Sequence, residues 1–239
     1  MTQFENEANS HYNGLQTNLI VHTRNGLDLS AAYTWSHATD NGQGDNAGNV
    51  SNPYDINYDR GNSAYDRRHI FRMSYYYPSP FFSHSSNLLA KTALGGWQIS
   101  GVFTAQTGEP FTVTLSNDNT GLGGAETSRP NLLGPIAYPK TVNEWFNTAS
   151  FAAPPSLVFG NAGRNQLFAP GTVNFDTALF KTFPLWGERT KFDFRLETYN
   201  TFNHTNFNAP NSTFGGGGFG LITGDQGARI VQLGGHLSF

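Results

Sequence analysis

Lys191-Phe192-Asp193-Phe194-Arg195-Leu196-Glu197 is the stretch on which the fold turns. Charges at 191, 193, 195 and 197 alternate with apolar residues at 192, 194 and 196. A period of two belongs to a β-strand, whose successive side chains point to opposite faces, whereas on a helix these charges would scatter around the axis. Such a strand separates a charged environment from an apolar one. The same alternation recurs along the chain. Leu15, Leu19 and Val21 alternate with Gln16, Asn18 and His22. After Arg24-Asn25-Gly26 come Leu27, Leu29, Ala31, Tyr33 and Trp35 on one parity. Asn-Gly between two such runs predicts a type I′ hairpin, which needs positive φ at both residues. Phe71, Met73, Tyr75 and Tyr77 form a third run, and Trp97, Ile99, Gly101 and Phe103 a fourth, which extends in expectation through Phe111 and Val113. Val173, Phe175, Leu179 and Phe183 give a fifth, and Val231, Leu233, Leu237 and Phe239 close the chain. Helical spacing is weak throughout, with 142–146 the only candidate. The expectation is an all-β chain, an antiparallel up-and-down meander of about seven long strands.

Three features point from a generic meander to the C-terminal part of a transmembrane β-barrel. Several runs reach the ~9–11 residues that a tilted strand needs to cross a bilayer. Aromatic residues gather at strand ends: Tyr75, Tyr77, Trp97, Phe183, Trp186 and Phe239 on one side, Tyr33, Trp35 and Phe202 on the other. Two aromatic girdles bounding an apolar band are a property of outer-membrane barrels. Connection lengths also alternate. Those at 24–26, 78–95 and 184–189 are short or intermediate, and those at 38–67, 116–171 and 203–227 are long. Outer-membrane barrels pair short periplasmic turns with long extracellular loops. With the chain end in the periplasm, every long connection is extracellular, and residue 1 begins inside such a loop.

Composition narrows the alternatives. Of 239 residues only 13% are charged, against about 25% in an ordinary soluble domain. Aromatics make up 14%, including 20 Phe. This argues against a coiled coil and against a highly charged disordered chain. A net charge of −3 gives no electrostatic footprint for nucleic acid. Without cysteine there is no disulfide framework, thiolate metal site or cysteine nucleophile. The polar, acidic start Met1-Thr2-Gln3-Phe4-Glu5-Asn6-Glu7 has neither the basic nor the apolar region of a secretory signal.

Short motifs add a family resemblance. Tyr12-Asn13-Gly14-Leu15-Gln16, Tyr33-Thr34-Trp35-Ser36 and Arg60-Gly61-Asn62-Ser63-Ala64-Tyr65-Asp66-Arg67-Arg68-His69 carry it first. Gly95-Gly96-Trp97-Gln98-Ile99-Ser100-Gly101, Asn174-Phe175-Asp176 and Tyr199-Asn200-Thr201-Phe202-Asn203-His204 follow in order, with the terminal Phe239. Together they resemble the late barrel strands of TonB-dependent outer-membrane transporters of the Oar-like type. The resemblance implies a barrel wall with extracellular loops for uptake of a ligand, located in the outer membrane and in contact with its lipid. It also implies that the barrel-assembly machinery reads the terminal strand, whose apolar parity is Val231, Leu233, Leu237 and Phe239. The TonB complex would act only through a plug. Signal peptide, TonB box, plug and most barrel strands do not occur in these residues, so the expectation is a portion that is not transport-competent alone.

No constellation for catalysis emerges, and the expectation is a protein that is not an enzyme and uses no cofactor. The seven histidines are scattered, without the spacing of a metal motif. Oxygen-rich segments at 40–45 and 117–119 lack the regular ligand spacing and bidentate Glu of a calcium loop, and read as solvated loops. The four glycines at 215–218 read as a flexible loop tip. Asp59, Arg60, Asp66, Arg67 and Arg68 form a dense charge group, either a substrate-facing network or an ion-pair network closing the top of a strand. Asp193, Arg195 and Glu197 must face the lumen, because Arg or Lys at mid-bilayer costs ~2–4 kcal/mol. Trp145, Phe146 and Phe151 in the longest loop read as packing that loop on itself. The alternative is a secreted β-sandwich that binds carbohydrate through those aromatics.

Overall fold

The computed structural model describes residues 8–42, 50–83, 85–123, 128–185 and 190–239. Seven long strands make one sheet: β1 (Ser10–His22), β2 (Asp28–Asp40), β3 (His69–Pro78), β4 (Gln98–Gln106), β5 (Thr172–Pro184), β6 (Lys191–Tyr199) and β7 (Ile230–Ser238). Each pairs antiparallel with the next in sequence, an up-and-down meander with β1 and β7 as its edges. The long strands lie in this one sheet and not in two packed face to face, so the sandwich alternative is set aside. Lengths of 9 to 13 residues match the span of a bilayer.

Directly opposed residues of an antiparallel pair share a face. The register therefore carries one apolar surface across all seven strands. Leu15 opposes Trp35, and Leu19 opposes Ala31. Ala31 opposes Met73, and Tyr33 opposes Phe71. Met73 opposes Phe103, which opposes Phe175. Leu179 opposes Leu196, which opposes Leu233, and Phe192 opposes Leu237. The other face carries Gln16, Ser30, Arg72, Ser74, Ser100, Asp176 and the charges of β6. A slip of one residue in any strand would break both surfaces.

The two ends of the sheet differ. Turns at 23–27 and 185–190 are short and 79–97 is intermediate, whereas 41–68, 107–171 and 200–229 are long. The strand ends differ from expectation at several points. β2 continues to Asp40, past the expected loop start at 38. β4 stops at Gln106 and does not run on to Val113. Pro110 has no N–H to extend the ladder, so Pro110–Phe111 leaves the sheet and pairs with Leu167–Phe168. In the first hairpin only Gly26 takes positive φ (83°), so the turn is not type I′. The Gly26 N–H donates to Thr23 O, and Leu27 N–H to Thr23 Oγ1. This is the pattern of a type I turn followed by a left-handed glycine.

No helix forms at 142–146, because Trp145 and Phe146 are drawn into a loop core. The one α-helix among the described residues, α1 (Leu88–Leu94), lies in the 79–97 connection, N-capped by Asn87. The 215–218 glycines form a defined turn, with positive φ at Gly215 and Gly218 and the Asn211 side chain donating to Gly217 O. Aromatics mark both ends of the apolar face. Tyr33 stacks on His69, and Phe202 lies 5.2 Å from Phe175. At the other end Trp97 sits edge-on to Phe183 and Phe194. Tyr75 departs from its expected strand-end place: it stacks on Phe175, with its hydroxyl near Thr177. Trp186, the 1–7 segment and Asp45 lie outside the described residues.

Candidate functional site: the cap made by the long connections

The three long connections fold together into a cap at one end of the sheet. Its core is Val113, Phe146, Phe151, Ala162 and Leu167, all buried, with Phe111, Leu132, Trp145, Phe214 and Phe219 packed around it. Phe146, at 0% exposure, has the rings of Phe111, Phe151 and Phe219 within 6 Å. Short backbone ladders brace the cap: Asn131–Leu132 pairs with Phe151–Ala152, and Thr114–Leu115 runs parallel to Thr213–Phe214 across two connections. Thus Phe146 and Phe151 pack the loop on itself. Trp145 donates its indole N–H to Phe168 O, and Phe168 N–H donates to the Tyr138 hydroxyl. Burial pushes the Tyr138 phenol up from its usual range, against the opposing effect of that hydrogen bond.

The sequence-dense charge group separates into three parts. Asp59 is buried and accepts from Ser51 N–H, and its carboxylate lies 3.4 Å from Arg129, which also covers the Tyr58 ring. Arg164 bonds the carbonyl of Asp59 and pairs with the carboxylate of Asp40. Asp66 is fully enclosed. It accepts from Ala38 N–H and faces His37 and Arg68. Arg67 reaches Glu109 at 2.7 Å and donates to the carbonyls of Ala64 and Asp66. Arg60 is exposed and takes no part in these pairs. Buried charges need partners that are themselves held in place: for Asp59 and Arg67 these come from another connection, through Arg129 and Glu109, whereas Asp66 is held by β2 and by its neighbour Arg68. Arg129 and Arg164 escaped the sequence reading because 70 and 105 residues separate them from Asp59. Isolated arginines in a charge-poor loop were the only available signal.

Asp118 organises its own turn, accepting from Thr120, Gly121 and Gly123 N–H and from Thr120 Oγ1. These bonds, that from Gly123 first, hold its carboxyl down at about 2. Its oxygens are thereby occupied by the chain itself. Among the described residues no three His, Asp or Glu side chains gather as a metal site.

On the polar face of the wall, Asp193 accepts from Thr182 Oγ1 at 2.6 Å and lies 3.8 Å from His236. Arg195 is 3.4 Å from Glu197 and covers the Phe180 ring. On the apolar face the register puts Val231, Leu233 and Leu237 of β7 in line with the β6 residues, and Phe239 follows, almost fully exposed. A cavity of about 740 Å³ lies where the cap overhangs that same face. It is lined by Tyr33, Phe71, Val173, Tyr138, Lys140 and Trp145 among others. It therefore opens on the apolar side of the wall, away from the charged face.

A single antiparallel meander of bilayer length, two-faced in register and with connections sorted by length, is the architecture of a barrel wall. The model of the outer membrane beta barrel domain matches residues 1–232. The chain belongs to that family. The outer membrane beta barrel family places the protein in the bacterial outer membrane. No curated protein and no solved structure matches the chain.

Proposed function

We propose that this outer membrane beta barrel chain supplies wall and extracellular loops to a TonB-dependent transporter of the Oar-like type, for uptake of a ligand and without catalysis. The observation that supports this reading is the sorting of connections: all three long ones lie at one end and pack into a single braced cap. In outer-membrane barrels the long loops are extracellular and the short turns periplasmic. On this reading the apolar face meets membrane lipid, and the face bearing Asp193, Arg195 and Glu197 meets the lumen. The energy source is the TonB complex acting on a plug. The terminal strand, with Val231, Leu233, Leu237 and Phe239 alternating along an edge, suits recognition by β-augmentation, in which backbone bonds give affinity and alternate side chains give specificity. That is the surface the barrel-assembly machinery would read.

The orientation is tested on whole cells with a membrane-impermeant maleimide, which the absence of native cysteine permits. Tyr54→Cys, in the exposed part of the cap, should label on intact cells. Leu185→Cys, in the opposite turn, should label only after the outer membrane is opened. The reverse pattern would overturn the reading. For energy coupling, cells carrying the gene should remove at least one compound from the medium that they spare when TonB is deleted. Identical depletion in both strains counts against a TonB-dependent role.

A further inference from the structure

The register gives the apolar face one charged side chain among the Asp, Glu, Lys and Arg of the seven strands. Lys181 directly opposes Phe194, with Leu179 and Phe183 on the same parity of β5. A cation on a surface of this kind needs compensation, and it is nearly fully buried here. Its ammonium donates to Ala93 O at 3.1 Å and to Gly95 O, and lies 4.9 Å from the Phe183 ring and 5.2 Å from that of Trp97. The Trp97 indole N–H donates to the same Ala93 carbonyl at 3.0 Å. Those carbonyls sit at the C-terminal end of α1, where intrahelical donors run out and the helix dipole favours a cation. So α1 is fastened by its last turn to the apolar side of the wall, at the short-turn end, and covers the lysine.

This anchoring leaves a set of large apolar side chains exposed on the outward side of α1 and just before it. Leu88 is 75% exposed and Leu89 80%, and Phe81, Phe82 and Leu94 are each more than half exposed. Strands β3, β4 and β5, which flank and support α1, are interior strands of the sheet, so further wall strands would add at its edges and not over this patch. The patch is continuous with the apolar face through Trp97, Phe183 and Phe194. Lys91, exposed on the same helix, has the reach to bring its ammonium to lipid phosphates while its methylenes stay against apolar surface.

We infer that residues 81–83 and 85–94 form an interfacial anchor, with α1 lying in the boundary between headgroups and acyl chains of the periplasmic leaflet. The occupant of the patch is phospholipid. An apolar helix flank beside a basic residue is the composition that settles at this depth, and an aromatic such as Trp97 is at home there. Lys181 then serves as the rivet between anchor and wall. The inference rests on the reading that the apolar face meets lipid, and the experiment separates the two.

In isolated outer membranes, single-cysteine variants of the full chain carry an environment-sensitive fluorophore. Leu89→Cys should lose most of its emission to a nitroxide placed near the headgroup on a lipid chain, and should be indifferent to aqueous iodide. Leu196→Cys, on the wall, should respond to a nitroxide deep in the acyl region. Tyr54→Cys, in the cap, should respond to iodide alone. If Leu196→Cys escapes the lipid quencher, the lipid-facing reading has failed and the anchor falls with it. If Leu196→Cys is quenched but Leu89→Cys answers to iodide, or to neither quencher, the wall stands and the anchor is overturned, in the second case because protein covers the patch. Should Leu89→Cys not reach the membrane, Leu88→Cys reads the same surface with the same outcomes.

Discussion

Wall and cap treat their apolar residues in opposite ways. Every buried hydrophobic residue among those described, from Val113 to Ile222, belongs to the long connections, and none lies in the seven strands. The wall strands carry comparable apolar content, yet Leu19, Leu233, Val231 and Leu237 are more than half exposed. A soluble protein puts its apolar strand faces inside, so a sheet with none inside has its core supplied from elsewhere. The cap behaves as an ordinary aqueous domain of loops, with its own aromatic core and buried ion pairs. The wall holds its shape by backbone pairing and, on the proposed reading, gains its apolar burial from the membrane. The contrast shows that one chain can follow two opposite burial rules, with the boundary near the end of each strand.

The sharpest way to break the contrast is to empty the cap core. Phe146→Ala removes a fully buried ring and should cost the cap about 3–5 kcal/mol. Limited proteolysis should then cut within 107–171, while the heat-dependent gel shift of the membrane-inserted chain stays unchanged. If insertion fails as well, cap and wall are one cooperative unit, and the division drawn above is wrong.

The next largest effect belongs to the wall. Leu196→Arg places a charge on the apolar face and should weaken folding into lipid by about 2–4 kcal/mol. Arg195→Leu, on the polar face, forfeits its exposed pair with Glu197 and should cost far less. Refolding into vesicles, read by band shift, compares them. Greater damage from Arg195→Leu would reverse the assignment of faces.

The smallest effect is one of pH, and it touches the cap alone. The Asp118 carboxyl is held near 2 in the folded cap, below its ordinary value of 3.8. A lowered folded value contributes stability above the ordinary value, and that stability is lost as pH falls through the folded one. Between about pH 4 and pH 2 the 117–123 turn should therefore become more open to pepsin. Asp118→Asn should flatten that dependence while leaving the wall untouched. An identical profile in both proteins would show that the turn's bonds contribute nothing.

How much of this was readable beforehand follows the same boundary. Period-two alternation reports a side chain's face directly, so Phe192, Phe194 and Leu196 against Asp193, Arg195 and Glu197 disclosed a strand and its two faces, while its register with β5 and β7 came only from the fold. Lys181 was the exception, a polar residue on the apolar parity whose partners, the carbonyls of Ala93 and Gly95, lie 86 to 88 residues away. Seven residues of α1 are too few to establish a helical period, and Asn87 was its only local signal. In the cap, the charges of 59–68 were visible as a cluster, but their grouping was not. Arg129, Arg164 and Glu109 reach them through tertiary packing, which leaves no periodic trace. At Gly26 the residue type was informative and the turn type was not, since Asn25 tolerates either sign of φ.

The bracing between connections has an evolutionary consequence. The Tyr58 hydroxyl donates to Gly160 O, and Asn62 and Asn165 exchange side-chain bonds with each other's carbonyls. Thr114–Leu115 is paired with Thr213–Phe214. On the proposed orientation the cap is cell surface, where phage and antibodies favour variation, and recombination between related genes is a quick route to it. Here a crossover that replaced one connection would strand the donors and acceptors of the other two. The three connections should therefore be inherited as a set, with exchange points falling in the strands and short turns, and a graft of foreign sequence for surface display belongs at a tip such as Tyr54 rather than at any of the braces.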